Sequence, residues 1–115
     1  MSEALPSEIF VLLDSRGALI VFEEKAASWV GVLAFSNQDN AIAFIKASRL
    51  DAHEIAAIDT ADADSIAALI ASVKRRSARH LILDLDFATG GHIQVEFEGN
   101  TFGESRARQM EPRKP

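Results

Sequence analysis

Acidic side chains close several apolar segments of this sequence, and they are the residues best suited to chemistry. Asp14 follows VLL, Asp59 follows AAI, and Asp84 and Asp86 lie in the segment HLILDLDF. In a parallel sheet, the residues after the strand ends gather at one edge, where α/β proteins bind their ligands. Carboxylates there could hold Mg²⁺, because that ion prefers a few oxygen ligands and keeps its waters. The pattern therefore allows a magnesium-dependent phosphoryl-transfer or receiver-like pocket.

Aspartate also ends strands for a structural reason, because its side chain favours turns and helix caps. A receiver-like site would need a lysine after the last strands, and the sequence places none there. His53, His80 and His92 lack the i, i+4 spacing of a helical metal site, and the chain has no cysteine for thiolate chemistry. We therefore expect no enzyme, no cofactor and no metal, with the four-carboxylate pocket as the alternative.

Three residues are candidates for interaction rather than catalysis. Trp29 is the only tryptophan and begins an apolar segment; in the core it would pack, and on the surface it would mark a hot spot. Gln94 and Glu96 lie on the outward side of the alternating segment HIQVEFE. The pattern favours a non-catalytic protein-interaction or regulatory module, able to self-associate through a sheet edge or an open sheet face. A small-ligand binding domain is a further alternative.

Basic residues cluster only once in the body of the chain, at Lys74–Arg76 and Arg79. They could bind phosphate or an acidic partner. They also fall at the end of a predicted helix, where the helix dipole favours cations without any ligand. We favour the second explanation.

The composition sets the class of protein and its surroundings. The chain has 115 residues, 48% of them apolar and 25% charged, as expected of one globular domain. Its net charge of −5 argues against nucleic acid as a partner. No apolar run approaches the roughly 20 residues that span a bilayer, and the acidic N-terminus lacks the basic region of a signal peptide. We expect a cytoplasmic protein that binds neither nucleic acid nor membrane.

The apolar periodicity predicts the element order β-β-β-α-β-α-β-β. The first helix is predicted to begin at a Ser36 cap, and the second at Thr60, Asp62 or Asp64. We expect an α+β fold with a single mixed sheet and both helices packed on one face, in one domain over residues 8–99. Residues 1–7 are predicted to be a disordered lead and residues 100–115 a disordered tail. The predicted strands span residues 8–14, 18–22, 29–35, 54–59, 80–87 and 92–98.

Four short stretches carry a family resemblance: VLLD at 11–14, VLAFSNQDNAIAFI at 32–45, AID at 57–59 and LD at 83–84. Residues 9–87 resemble the N-terminal domain of the SseB family, the enhanced-serine-sensitivity proteins. The resemblance implies the same strand, cap and helix architecture. It implies no catalytic residues that could be carried over. From Gly91 onward the sequence has no counterpart in that family.

Overall fold

A computed structural model describes the backbone of residues 6–24, 29–78, 80–98 and 101–109. Within these ranges, the side chains of residues 24, 29, 98 and 101–109 lie outside the description. The predicted α+β fold with a single mixed sheet is confirmed, with one more strand than expected. The elements are β1 (Glu8–Leu13), β2 (Val21–Glu24), β3 (Trp29–Phe35), α1 (Gln38–Ser48), β4 (Glu54–Asp59), α2 (Ala63–Arg75), β5 (His80–Leu83), β6 (Gly91–Glu98) and β7 (Thr101–Gln109).

The sheet has the strand order β4-β1-β3-β5-β6-β7, and β2 also pairs with β3. Among the strand pairs that the structure describes, β3–β5 is parallel and the others are antiparallel. The strand β1 lies between β4 and β3 and runs against both. As a result β3, β4 and β5 share one direction although β4 is not adjacent to the other two.

The two helices lie on opposite faces of the sheet, so the prediction that they share one face is wrong. Phe44 of α1 packs with Leu33 and Ile82, whereas Leu69 of α2 packs with Val32 and Leu81. Neighbouring residues of a strand point to opposite faces. Because the central strands are apolar at consecutive positions, each face needs its own cover.

Polar residues just before each helix fix where it begins. The side chain of Asn37, rather than the predicted Ser36, caps α1 by accepting the N–H of Asn40 at 2.8 Å. Asp62, one of the three predicted caps, accepts a hydrogen bond from the N–H of Asp64 at 3.2 Å and begins α2. Neither helix in the described part of the chain is long and apolar enough to cross a bilayer.

The strands β1 and β2 both lie along one edge of β3, since β5 occupies the other edge. Val11 of β1 faces Ala34, and Val21 of β2 faces Val32. Between them the chain makes the predicted turn, in which Gly17 has a φ of 77° and donates its N–H to the Asp14 carbonyl at 3.0 Å. Two strand segments joined by a turn therefore share one place in the sheet.

The strand β3 contains a glycine because two side chains of β5 pass close to its backbone. A Cβ at Gly31 would lie 2.6 Å from Cγ1 of Ile82 and 3.1 Å from Nε2 of His80. A close approach of this kind is one reason for a glycine inside a strand. A methyl group there would force the two side chains to move.

The predicted disordered tail is wrong for residues 101–109, because they form β7 and pair with β6 along its length. The segment TFGESRARQ is mostly polar, but a neighbouring strand satisfies its backbone, which composition alone does not reveal. The sheet curves enough that α2 contacts both edge strands, β4 and β7. At the other terminus, the N–H of Thr60 donates to the Ser7 carbonyl at 3.1 Å. The rest of the predicted lead and tail, residues 1–5, 100 and 110–115, lies outside the described residues.

Candidate functional site

The four predicted carboxylates do not meet. Because β1 is antiparallel to β3, Asp14 and Asp84 lie at opposite ends of the strands. Asp59 lies at the same end of the strands as Asp84. However, β4 is three strands from β5, which separates the two strands by about 14 Å at about 4.8 Å per strand. Among the described residues no group of three or more histidine, aspartate or glutamate side chains could hold a metal ion. The alternative prediction of an Asp14, Asp59, Asp84 and Asp86 pocket is therefore wrong.

Three of these carboxylates form turns instead. Asp14, Asp59 and Asp86 each accept a hydrogen bond from the backbone N–H two residues later, at 2.8 to 2.9 Å. This is the local bonding that makes aspartate a turn residue. The structural explanation considered for the strand-end aspartates is thus confirmed for these three.

Asp84 has a different task, at the carboxyl ends of the parallel strands β3 and β5. It has a φ of 55°, and its Oδ1 accepts hydrogen bonds from the Ser36 N–H at 2.8 Å and from the Asn40 side-chain amide at 3.4 Å. The carboxylate therefore ties the end of β5 to the segment that leads into α1. An oxygen held by two donors of the fold is a structural group.

A crevice of about 400 Å³ opens beside this carboxylate; we call it the carboxyl-end crevice. Aromatic rings fill its floor: the Phe44 ring centre lies 5.5 Å from that of Phe35 and 6.0 Å from that of Phe87. Phe87 remains 53% exposed. The residues that line the crevice are Phe35, Asn40, Ala43, Phe44, Ala47 and the stretch 84–88.

A second opening of about 440 Å³ lies on the other face, between α2 and the strands β1 and β4; we call it the α2 cleft. Its strand wall is apolar, its helix wall carries small side chains, and the turn after β1 closes one side. At the C-terminal end of α2 it is bordered by two arginines. The lining residues are Val11, Leu13, Gly17, Ala18, Leu19, Ala56, Ile58, Ser65, Ala68, Leu69, Ser72, Arg75 and Arg76.

Charged groups surround the arginine end of the α2 cleft. The N–H groups of Ala18 and Arg16 lower the pKa of Asp14 most, and the nearby guanidinium groups of Arg76 and Arg16 lower it further. Arg75 and Arg76 are themselves exposed. Arg75 and Arg76 line this end of the cleft, and Asp14 lies within reach of the charge of Arg76.

The outer edge of β4 is the third candidate feature. In the described part of the chain β4 pairs only with β1. The bond between Thr60 and Ser7 sets the alternation along the pair, so the backbone groups of Ile55, Ala57 and Asp59 point away from β1. The strand, EIAAID, has neither the lysine nor the proline that commonly protects an edge.

Of the three predicted interaction residues, Gln94 and Glu96 lie on β6 and line neither opening. Trp29 begins β3, and its side chain lies outside the described residues. Gln94 is half-buried and Glu96 exposed on β6, and the Gln94 amide donates to the Glu96 carboxylate at 3.3 Å. Their role in interaction stays a prediction.

His80 and His92 lie on the paired strands β5 and β6, but they are not opposite each other. His80 faces Glu96, four residues along β6 from His92. Both histidines are buried, at 4% and 7% exposed. They therefore lie in the interior of the sheet and are not surface histidines.

Sequence considerations missed both the α2 cleft and the open edge of β4. One signal for the cleft is present: Ser65, Ala68 and Ser72 place small side chains along one side of α2. A signal for the edge is the short, small-residue strand EIAAID. Neither pattern is specific without the strand order.

The chain matches no family model, and no curated protein or solved structure is significantly similar to it. The resemblance to the SseB family therefore stays a prediction from sequence. What the protein does has to follow from its own geometry, in particular from the edge of β4 and the α2 cleft.

Proposed function

We propose that this protein is a non-catalytic interaction module that self-associates by pairing β4 of one copy with β4 of a second. The observation that carries the proposal is that β4, in the described part of the chain, pairs on one side only and has exposed Ala57 at the middle of its other edge. An unpaired strand edge presents a row of N–H and C=O groups that another strand can satisfy. Two copies related by a two-fold axis would extend the sheet across the contact.

Backbone alternation selects the register of this pairing. In an antiparallel pair, outward backbone groups must meet outward groups of the other strand. A two-fold axis at Ala57 meets this condition, because Ile55 then faces Asp59 of the second copy. The same register sets Glu54 opposite Thr60, so no two carboxylates oppose each other.

Side chains also agree with this register. On the face of α2, Ala56 would lie opposite Ile58 of the second copy, which joins two apolar groups. On the other face, the small Ala57 side chains meet at the axis without crowding. Each cross-strand pair contributes about 0.2–1 kcal/mol, so we expect a weak dimer that depends on concentration.

Composition supports the setting of this module. The chain has no cysteine and carries net negative charge, which favours a cytoplasmic module with protein partners over one that binds nucleic acid. The second copy proposed above is the partner to which we commit.

The test is the oligomeric state over a concentration series, measured by sedimentation equilibrium. Ala57→Pro removes an outward N–H, and proline is tolerated on edge strands. We expect this variant to be monomeric at concentrations where the wild type dimerises, with an unchanged circular dichroism spectrum. The matched control Ala57→Ser keeps the N–H and a small side chain at the axis and should still dimerise. A wild type that stays monomeric up to millimolar concentration, or a dimer that survives Ala57→Pro, contradicts the proposal.

A further inference from the structure

The α2 cleft combines an apolar interior with a cationic end, and we propose that it binds a small amphiphilic acid, a molecule with an apolar body and one carboxylate. The inference does not rest on self-association, because α2, β1 and β4 of one copy form the whole cleft, although Ala56 and Ile58 also lie beside the open edge of β4. It concerns a site that the residue pattern of the sequence did not predict.

The apolar body follows from the walls. A volume of about 440 Å³ falls within the range of small-molecule sites, roughly 300–1,000 Å³. Leu13, Ala56 and Ile58 are only half-buried, although they pack against the main core cluster. Their remaining surface faces the cleft, where an apolar ligand would remove it from water.

Space for this body exists because the helix wall is built from small residues. Ser65, Ala68 and Ser72 face the strands where larger side chains would fill the gap. Ala68 lies on the side of α2 that lines the cleft, and it is nevertheless exposed. The cleft is therefore open to solvent along α2.

The acid follows from the arginines. Arg75 and Arg76 line the end of the cleft, and a guanidinium group matches the planar fork of a carboxylate. Asp14 lies close enough to Arg76 to feel its charge, which leaves Arg75 as the second cation at this end of the cleft. One further carboxylate is the simplest complement to what remains.

The helix dipole alone explains cations at this end of α2. It does not explain why they border an apolar opening, because a solvated helix end needs no cleft beside it. The negative end of the dipole also disfavours a bound anion. The ligand carboxylate must therefore reach the guanidinium groups rather than the backbone.

The test uses octanoate as the acid and 1-octanol as its neutral counterpart, titrated into the isotopically labelled full chain below micellar concentrations. We expect saturable binding of octanoate, with amide shifts concentrated at Ala56, Ile58 and Ala68 in the nitrogen–proton spectrum. The double variant Arg75→Gln/Arg76→Gln should weaken octanoate binding by roughly tenfold or more and change octanol binding by less than about twofold.

Two alanines of α2 provide a matched pair for the apolar part. Ala68→Phe fills the cleft and should abolish binding of both probes, whereas Ala71→Phe, exposed on the same helix outside the cleft, should leave both unchanged. Repeating the titration with Ala57→Pro separates this site from the β4 edge. Absence of saturable octanoate binding in the wild type, shifts located elsewhere, or equal affinity for octanol would each overturn the proposal.

Discussion

The carboxyl-end crevice and the α2 cleft have similar volumes, about 400 and about 440 Å³, yet their polar groups are used in opposite ways. In the crevice, Asp84 bonds to Ser36 and to Asn40 of the same fold. In the cleft, Arg75 and Arg76 stand exposed at one end. The crevice occupies the usual ligand position of α/β proteins, but its polar groups already have their partners. Position in the fold is thus a weaker guide than the bonding of the polar groups.

The apolar parts of the two openings differ in the same direction. Phe44 contacts both Phe35 and Phe87, and these rings form the floor of the crevice. The helix wall of the cleft carries three small side chains instead, those of Ser65, Ala68 and Ser72. We conclude that the aromatic rings of the crevice stabilise the fold, whereas the cleft combines a similar volume with exposed cations.

The largest effect that tests this contrast is the loss of an aromatic ring from the crevice. Phe44→Ala removes a side chain that is only 5% exposed, and we expect the free energy of unfolding to fall by about 3–5 kcal/mol. Urea denaturation measures the change. The counterpart on the other side is Ala68→Phe, for which we expect a change within about 0.5 kcal/mol. Similar costs for the two variants would erase the distinction.

An intermediate effect is expected from the carboxylate of the crevice. Asp84→Ala leaves the Ser36 N–H without its acceptor and should lower the free energy of unfolding by about 1.5–3 kcal/mol. Asp84→Asn keeps an oxygen acceptor and tolerates the positive φ, so thermal unfolding should show a smaller loss. If the alanine variant is as stable as the wild type, Asp84 is available for another role.

The smallest effect concerns the charge at the mouth of the cleft. Backbone N–H groups, with help from Arg76, lower the pKa of Asp14 in the folded protein. A lowered pKa stabilises the fold above the unfolded-state value, and this contribution is lost as the pH falls below about 4. A carbon-detected titration of Asp14 should give a pKa below its ordinary value.

Arg76→Gln should move the pKa of Asp14 only part of the way back, because the hydrogen bonds from Ala18 and Arg16 are the larger causes. Lys74→Gln, outside the cleft lining, removes the same charge and serves as the matched control. It should leave the pKa of Asp14 unchanged. An Arg76→Gln variant with no effect would place that guanidinium group away from the turn.

Local patterns predicted the elements because their causes are local. The spacing of Ile66, Leu69, Ile70 and Val73 predicted α2, and all four are buried. The same reasoning missed β7, since its residues gain their place from pairing with β6 rather than from apolar content. It also extended the strand 80–87 too far, because the positive φ of Asp84 ends β5 at Leu83.

The candidate site was less predictable because it depends on contacts between distant parts of the chain. Because β1 lies between β3 and β4 and runs antiparallel to both, Asp14 lies at the opposite end of the strands from Asp84. No residue near Asp14 in the sequence indicates this strand order. The same placement leaves β4 at the sheet edge and brings it under α2. The open edge and the cleft are therefore consequences of topology, and sequence patterns described only their parts.

The shared edge of β3 has a consequence for how this fold can vary. Since β1 and β2 hold their places independently, residues can be inserted at Ser15 or Arg16 without breaking a strand pair. The same turn contributes Gly17 and Ala18 to the wall of the cleft. Natural or engineered changes in turn length would thus reshape the α2 cleft while the strand pairs stay the same. This turn is therefore the place to vary the ligand preference that we propose for the cleft.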